Sequence, residues 1–179
     1  MWNKKQIQEH IETAKLLDKI KNRTFELIKN NKSRSEKQVQ EFILKEFKEN
    51  KITTDKDPPI VAFNENSAIP HYFLSENSKT LKPNTLILID IWANKKNQRT
   101  PFADITWVGY YSATSKKIPK EIQKVFDIVI KSRDEAIKYI RRELKKGIFP
   151  TGKEIDSVSR EIINKPASQA NSYMVQDTA

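Results

Sequence analysis

Apolar residues recur at helical spacing from the start of the chain: Ile7, Ile11, Ala14, Leu17 and Ile20, continued by Phe25, Leu27 and Ile28. Steps of three and four put them on one face, which predicts an amphipathic helix to about Lys29. Asn3, with Gln6 three residues on, supplies its start signal. After a polar break at 30–34, Ser35 and Gln38 form a capping-box pattern, and Val39, Phe42, Ile43 and Phe47 mark a second helix. Pro58 and Pro59 interrupt before a short strand at 60–63. A loop rich in Asn, Ser and Pro then runs from Asn64 to Pro83 and carries His71. Two β-rich runs follow, Thr85 to Ala93 and Phe102 to Tyr111, joined by the polar stretch 94–100, which suits a hairpin. Beyond Pro119, Ile122, Val125, Phe126, Val129, Ala136, Ile137, Ile140 and Leu144 give a long helix its apolar face, and Gly147 marks its end. Thr151 and Glu154 open a fourth helix with Ile155, Val158 and Ile162. From Asn164 the pattern dissolves. The expected organisation is a mixed α/β (α+β) domain over residues 1–163, with 164–179 an unstructured or non-homologous tail. The second helix pair begins what could be another copy of the first half.

Composition narrows this picture. A chain of 179 residues, 37% hydrophobic and 31% charged, fits one domain with its own core. Three glycines argue against a glycine-rich phosphate loop, and the absence of cysteine excludes disulfides and thiolate zinc sites. The start, Met1-Trp2-Asn3-Lys4-Lys5, lacks the apolar core of a signal peptide. No apolar run is long enough to span a bilayer. The expectation is a soluble, cytoplasmic protein with no membrane association. The formal charge is +10, but Lys and Arg are mixed with Glu, as between Glu135 and Lys153, and basic clusters such as Arg141-Arg142 are short. That pattern reads as a solvated basic surface, so nucleic acid is not the expected partner.

Two carboxylates stand where carboxylates are costly. Asp90 interrupts the most apolar run of the chain, and Asp104 lies between Ala103 and Ile105 in the next strand. A buried carboxylate is unfavourable unless it is paired or binds a metal. A hairpin centred on Asn97 places the two residues directly opposite each other, because they are equidistant from it. Like charges in that position repel, and a cation between them reverses the sign. Taken singly, either Asp would read as an ordinary strand-end or turn residue. Taken together in this register, they predict a metal-binding pair, and a single bulge would separate them.

Residues 60–72, Ile-Val-Ala-Phe-Asn-Glu-Asn-Ser-Ala-Ile-Pro-His-Tyr, resemble the segment of creatinase-fold peptidases that carries their first active-site histidine. Residues 88–93 resemble the strand with the first metal aspartate of that family, and residues 102–107 the strand with the second, including Asp104-Ile105-Thr106. The stretch from Arg133 to Ile163 is similar to the one that follows. In order and spacing, residues 7–163 resemble the N-terminal part of a pita-bread metallopeptidase of the Xaa-Pro aminopeptidase type. The resemblance implies a hydrolase that removes the N-terminal residue of a peptide, often before proline, through water activated by two divalent metals. It implies Asp90 and Asp104 as metal ligands and His71 as the histidine that contacts substrate and helps move protons. The implied metal is manganese first, with cobalt, iron or zinc also suited.

Some positions depart from the pattern: Asn64 and Trp92 stand where glycine is common, and Trp107 where arginine is common. Asn tolerates a left-handed backbone better than most residues. In the family one further histidine, in a Gly-His motif, and two glutamates complete the metal set. The chain has only His10 and His71, and no Gly-His pair. His10, on the first helix, reads as a solvated or partly packed residue. The expectation is therefore a truncated copy, through frameshift, premature stop or split gene, that is inactive alone. Its expected partners are a peptide with a free N-terminus, and a second copy or a complementing C-terminal half. The alternative expectation is a non-catalytic module of the same fold that binds protein or RNA.

Overall fold

A long helix starts where the sequence places a cap, and a sheet forms behind it. The computed structural model describes residues 2–30, 34–74, 78–95, 100–112 and 117–174, with side chains as far as residue 165. The chain divides into two compact units, Met1–Lys116 and Lys117–Ala179.

In the first unit, α1 spans Lys4–Asn30 and α2 spans Glu36–Glu49. Asn3 and Gln6 cap α1 reciprocally, each side chain accepting from the other's backbone N–H at 2.9 and 3.0 Å. Ser35 and Gln38 form the same box at α2. Each box satisfies two amide donors that a helix start otherwise leaves unpaired. A buried Glu46 on α2 is paired by Arg23 of α1 at 2.7 Å.

The strands are β1 (Ile52–Thr53), β2 (Ile60–Phe63), β3 (Thr85–Lys95) and β4 (Ala103–Tyr111), all pairing antiparallel. β3 is the trunk. It pairs with β2 through Ile87 to Asp90, with β1 at Asn94 and Lys95, and with β4 from Thr85 to Ala93. The apolar run of β3 is not buried throughout, as the cost assigned to Asp90 assumes. It alternates: Thr85, Ile87, Ile89, Ile91 and Ala93 are buried, whereas Leu86, Leu88, Asp90 and Trp92 are half-buried. Within this unit α1 and α2 pack on the sheet and the core forms between them, from Leu17, Ile20, Val39, Ile43, Phe63 and Ile89 among others. Each such side chain removed from water contributes about 1.5–3 kcal/mol. Gly109 of β4 admits the helix closely: a Cβ there would stand 2.6 Å from Cε1 of Phe25.

In the second unit, α3 (Lys120–Lys145) packs on α4 (Gly152–Met174). The contact uses small side chains, with Ser132 and Ala136 buried and the Ser132 hydroxyl donating to the carbonyl of Ser159 at 3.1 Å. The expected apolar face of α3 is present, but Val125, Phe126, Val129 and Ile137 on it are exposed. Gly147 ends the helix at φ 77°, and the N–H groups of Gly147 and Ile148 return to the carbonyls of Leu144 and Glu143. That is the left-handed stop for which glycine is suited. Thr151 and Glu154 cap α4 as expected. The helical backbone of α4 continues to Met174, past the expected boundary at residue 163. Residues 166–171 carry no apolar stripe, so a reading from periodicity ends too early. Residues 175–179 and the hairpin centre at Asn97 lie outside the described residues. Among the described residues no helix is long and apolar enough to cross a membrane.

Candidate metal centre

β3 and β4 bring Asp90 and Asp104 to one face, in a register shifted by two residues from the expected one. Asp90 pairs with Thr106 and Asp104 with Trp92. The two carboxylates are therefore diagonal neighbours and not directly opposed, since Trp92 and Asp90 are two apart on one strand face. The hairpin connection, 96–99, lies outside the described residues, and the symmetric loop assumed from the sequence had no other support. Diagonal neighbours on one sheet face stand roughly 7–8 Å apart at the backbone, within mutual electrostatic reach.

Asp90 is half-buried and not enclosed in apolar surroundings, because its side of β3 is the one that α1 and α2 leave uncovered. One carboxylate oxygen, Oδ1, accepts from the Thr106 hydroxyl at 2.7 Å. Asp104 is exposed, yet neighbouring atoms displace enough water, and the Asp90 charge adds enough repulsion, to push its carboxyl above the ordinary aspartate value. The loss of water is the larger cause, and the repulsion from Asp90 adds to it.

His71 reaches the same place from another direction. Its loop leaves β2 through a 3-10 turn, Asn64–Ala68, entered at Asn64 with φ 52°. Asn64 thus takes the left-handed conformation for which its identity was singled out. His71 itself has φ 52°, a region in which His is enriched among non-glycine residues but still uncommon. A cleft of about 290 Å³ is lined by His71, Asp90 and Asp104, together with Asp55, Asp57 and Trp92. The indole N–H of Trp92 donates to Oδ1 of Asp55 at 2.9 Å, and this bond, before that from the Asp57 N–H, holds the Asp55 carboxyl below its usual range. His10 is elsewhere, on α1, with its ring 5.1 Å from that of Trp2.

The sequence reading missed Asp55, Asp57 and the buried Glu36 that supports the histidine loop. Asp55 and Asp57 look like ordinary turn residues before Pro58, and only the pairing of β1 and β2 with β3 draws that loop to the cleft. Glu36 could have been noticed as an acid in the first turn of α2, where the helix dipole favours it.

The oxygen-rich cleft fits a hard or borderline divalent cation in its donor chemistry. Among the described residues, no group of three or more His, Asp or Glu converges closely enough to hold a metal.

Several solved structures share this fold. The X-Pro aminopeptidase from Thermotoga maritima MSB8 superposes with a TM-score of 0.73 at 23% identity, over 92% of this chain and 42% of that one. The Xaa-Pro dipeptidase from Bacillus anthracis gives 0.71 at 20% identity, over 92% and 41%. The prolidase from Pyrococcus horikoshii OT3 gives 0.69 at 22%, over 91% and 42%. The chain thus spans about two fifths of the length of these proteins (42%, 41% and 42%) and has their pita-bread fold over that part. No curated protein sequence matches it. The model of metallopeptidase family M24 matches residues 8–176, extending into the stretch expected to be an unrelated tail. With nearly the whole chain covered by that match, the protein belongs to metallopeptidase family M24.

Proposed function

We propose that this chain contributes to a metal-dependent aminopeptidase or dipeptidase of the Xaa-Pro type, with Asp90 and Asp104 as metal ligands and His71 beside the substrate. One observation carries the reading: three residues from separate stretches of sequence line a single cleft. A divalent cation bound there, manganese first and cobalt, iron or zinc next, supplies Lewis-acid polarisation for amide hydrolysis. The chain's own groups do the rest. Thr106 fixes one oxygen of Asp90 and so orients its carboxylate. A cation beside Asp104 would offset the repulsion from Asp90 and favour its charged carboxylate. The imidazole of His71 can hold or pass a proton at the edge of the cleft. Trp92 forms part of the wall, and the acids around it suit a peptide with a free, positively charged N-terminus. A cysteine-free chain of this kind suits the cytoplasm.

Two carboxylates hold a divalent ion weakly, because tight sites need more ligands in defined geometry. Titration of Mn2+ followed by electron paramagnetic resonance is expected to show weak binding by residues 1–179 that is lost in Asp90→Asn and in Asp104→Asn. An Xaa-Pro dipeptide is not expected to be hydrolysed by this chain alone with Mn2+. Binding that survives both substitutions would overturn the ligand assignment.

A further inference from the structure

Glu36 has no part in the chemistry above, yet it is fully buried at the first turn of α2. An acid in such a place is costly unless hydrogen-bonded on all sides. Its carboxyl group accepts four hydrogen bonds. Oε1 receives the Phe63 N–H at 2.7 Å and the Asn66 side-chain amide at 2.8 Å. Oε2 receives the Tyr72 hydroxyl at 3.0 Å and the Lys79 N–H at 2.9 Å. These donors mark the start of the histidine loop, its 3-10 turn, the residue after His71 and the return of the chain. The Asn66 amide also donates to the Tyr72 oxygen at 2.8 Å, which closes a triangle with Glu36. Burial first, and the Glu36 carboxylate next, push the Tyr72 phenol up to about 12, so it remains a donor throughout the ordinary pH range.

A loop held only at its ends could leave the residue before Tyr72 free to choose its backbone region. His71 instead sits at φ 52°, which persists where the surroundings over-determine it. The Tyr72 hydroxyl is tied to the buried Glu36, whereas His71 is exposed, and both residues line the cleft. We propose that Glu36 is the positioning residue for His71: by gripping both ends of the loop and the Tyr72 hydroxyl, it fixes the left-handed turn that presents the imidazole to the carboxylate cleft. The proposal rests on the reading of His71 as the substrate-side histidine. It adds a buried acid, 68 positions before Asp104 in the sequence, to the residues on which that site depends.

The test uses ring relaxation of 13C-labelled histidine in the full chain, which has two histidines, so that His10 is an internal control. Tyr72→Phe removes one hydroxyl and leaves Glu36 its other three donors. It is expected to lower the order of the His71 ring while His10 relaxation and the amide protection of β3 stay as in the wild type. Glu36→Gln is expected to act in the same direction and more strongly. An unchanged His71 ring in Tyr72→Phe and in any Glu36→Gln protein that keeps β3 protection would overturn the proposal. Mn2+ added to each protein reads the other assumption separately. In the wild type it should broaden His71 more than His10, and in Tyr72→Phe that preference should fall. Equal broadening of the two histidines in the wild type would count against the metal-cleft reading, with ring order in metal-free protein still deciding the role of Glu36.

Discussion

Asp104 is where metal-free folding and the proposed chemistry pull against each other. Its folded-state pKa is raised, so the folded chain holds this proton more tightly than the unfolded chain does. The resulting stabilisation is present in acid and is lost as pH rises through the raised value. Asp104→Asn should therefore melt higher than the wild type at neutral pH in chelator, while the two converge in acid. Repulsion between diagonal neighbours, one half-buried and one exposed, is worth under about 1 kcal/mol. For a chain of this size that is a shift of about 2–4 °C at most. Added Mn2+ should raise the wild-type midpoint and leave that of Asp104→Asn where it was. Equal midpoints at neutral pH without metal would mean that neither the lost water nor the Asp90 charge penalises the Asp104 carboxylate. At this scale the aspartates were legible because an acid inside an apolar run stands out, and His71 because its neighbours resemble a known motif. Glu36 was not legible. A glutamate next to a capping serine is ordinary in sequence, and its four donors come from residues 27 to 43 positions away.

Among the elements, the close contact of α1 with β4 turns on a missing side chain. Gly109→Ala would press its methyl group against the Phe25 ring, where the separation is only 2.6 Å. Overpacking of this kind costs about 1–3 kcal/mol. The urea midpoint should fall accordingly, and Phe25→Leu in the same chain should recover part of the loss, since contacting positions couple. Simple additivity of the two substitutions would show that the ring is not the obstacle. The helices were readable because start signals and periodicity agree, as at Asn3, Ser35 and Thr151. Strand register was not, because it depends on the hairpin connection and on β2 lying along the other edge of β3. Burial of β3 was misjudged for a related reason: an apolar run shows what could be covered on both faces, and only the packing shows which face is.

For the molecule as a whole, the large apolar cluster lies entirely within residues 14–111, in the first unit. In the second unit, α3 keeps exposed apolar residues, with Val125 at 62% and Val129 at 52% exposure. Residues 1–116 produced alone should therefore unfold cooperatively and give a dispersed amide spectrum. Residues 117–179 alone should give a broad, weakly cooperative melt, because helices in proteins gain most of their stability from packing and α3 leaves much of its apolar face uncovered. A sharp transition in the second fragment, or none in the first, would contradict this division. Fold class could be reached from the order of elements, and the family match confirms it.

The pairing of Trp92 with Asp104 has an evolutionary corollary. Side chains on a strand choose between two faces by parity alone. Slipping β4 by an even count keeps Asp104 in the cleft and merely changes its neighbour. An odd slip would drive the acid under α1 and turn Trp107 and Ile105 toward the cleft. Insertions in this strand should therefore be tolerated in pairs before they are tolerated singly, whatever happens to the loop that joins it to β3.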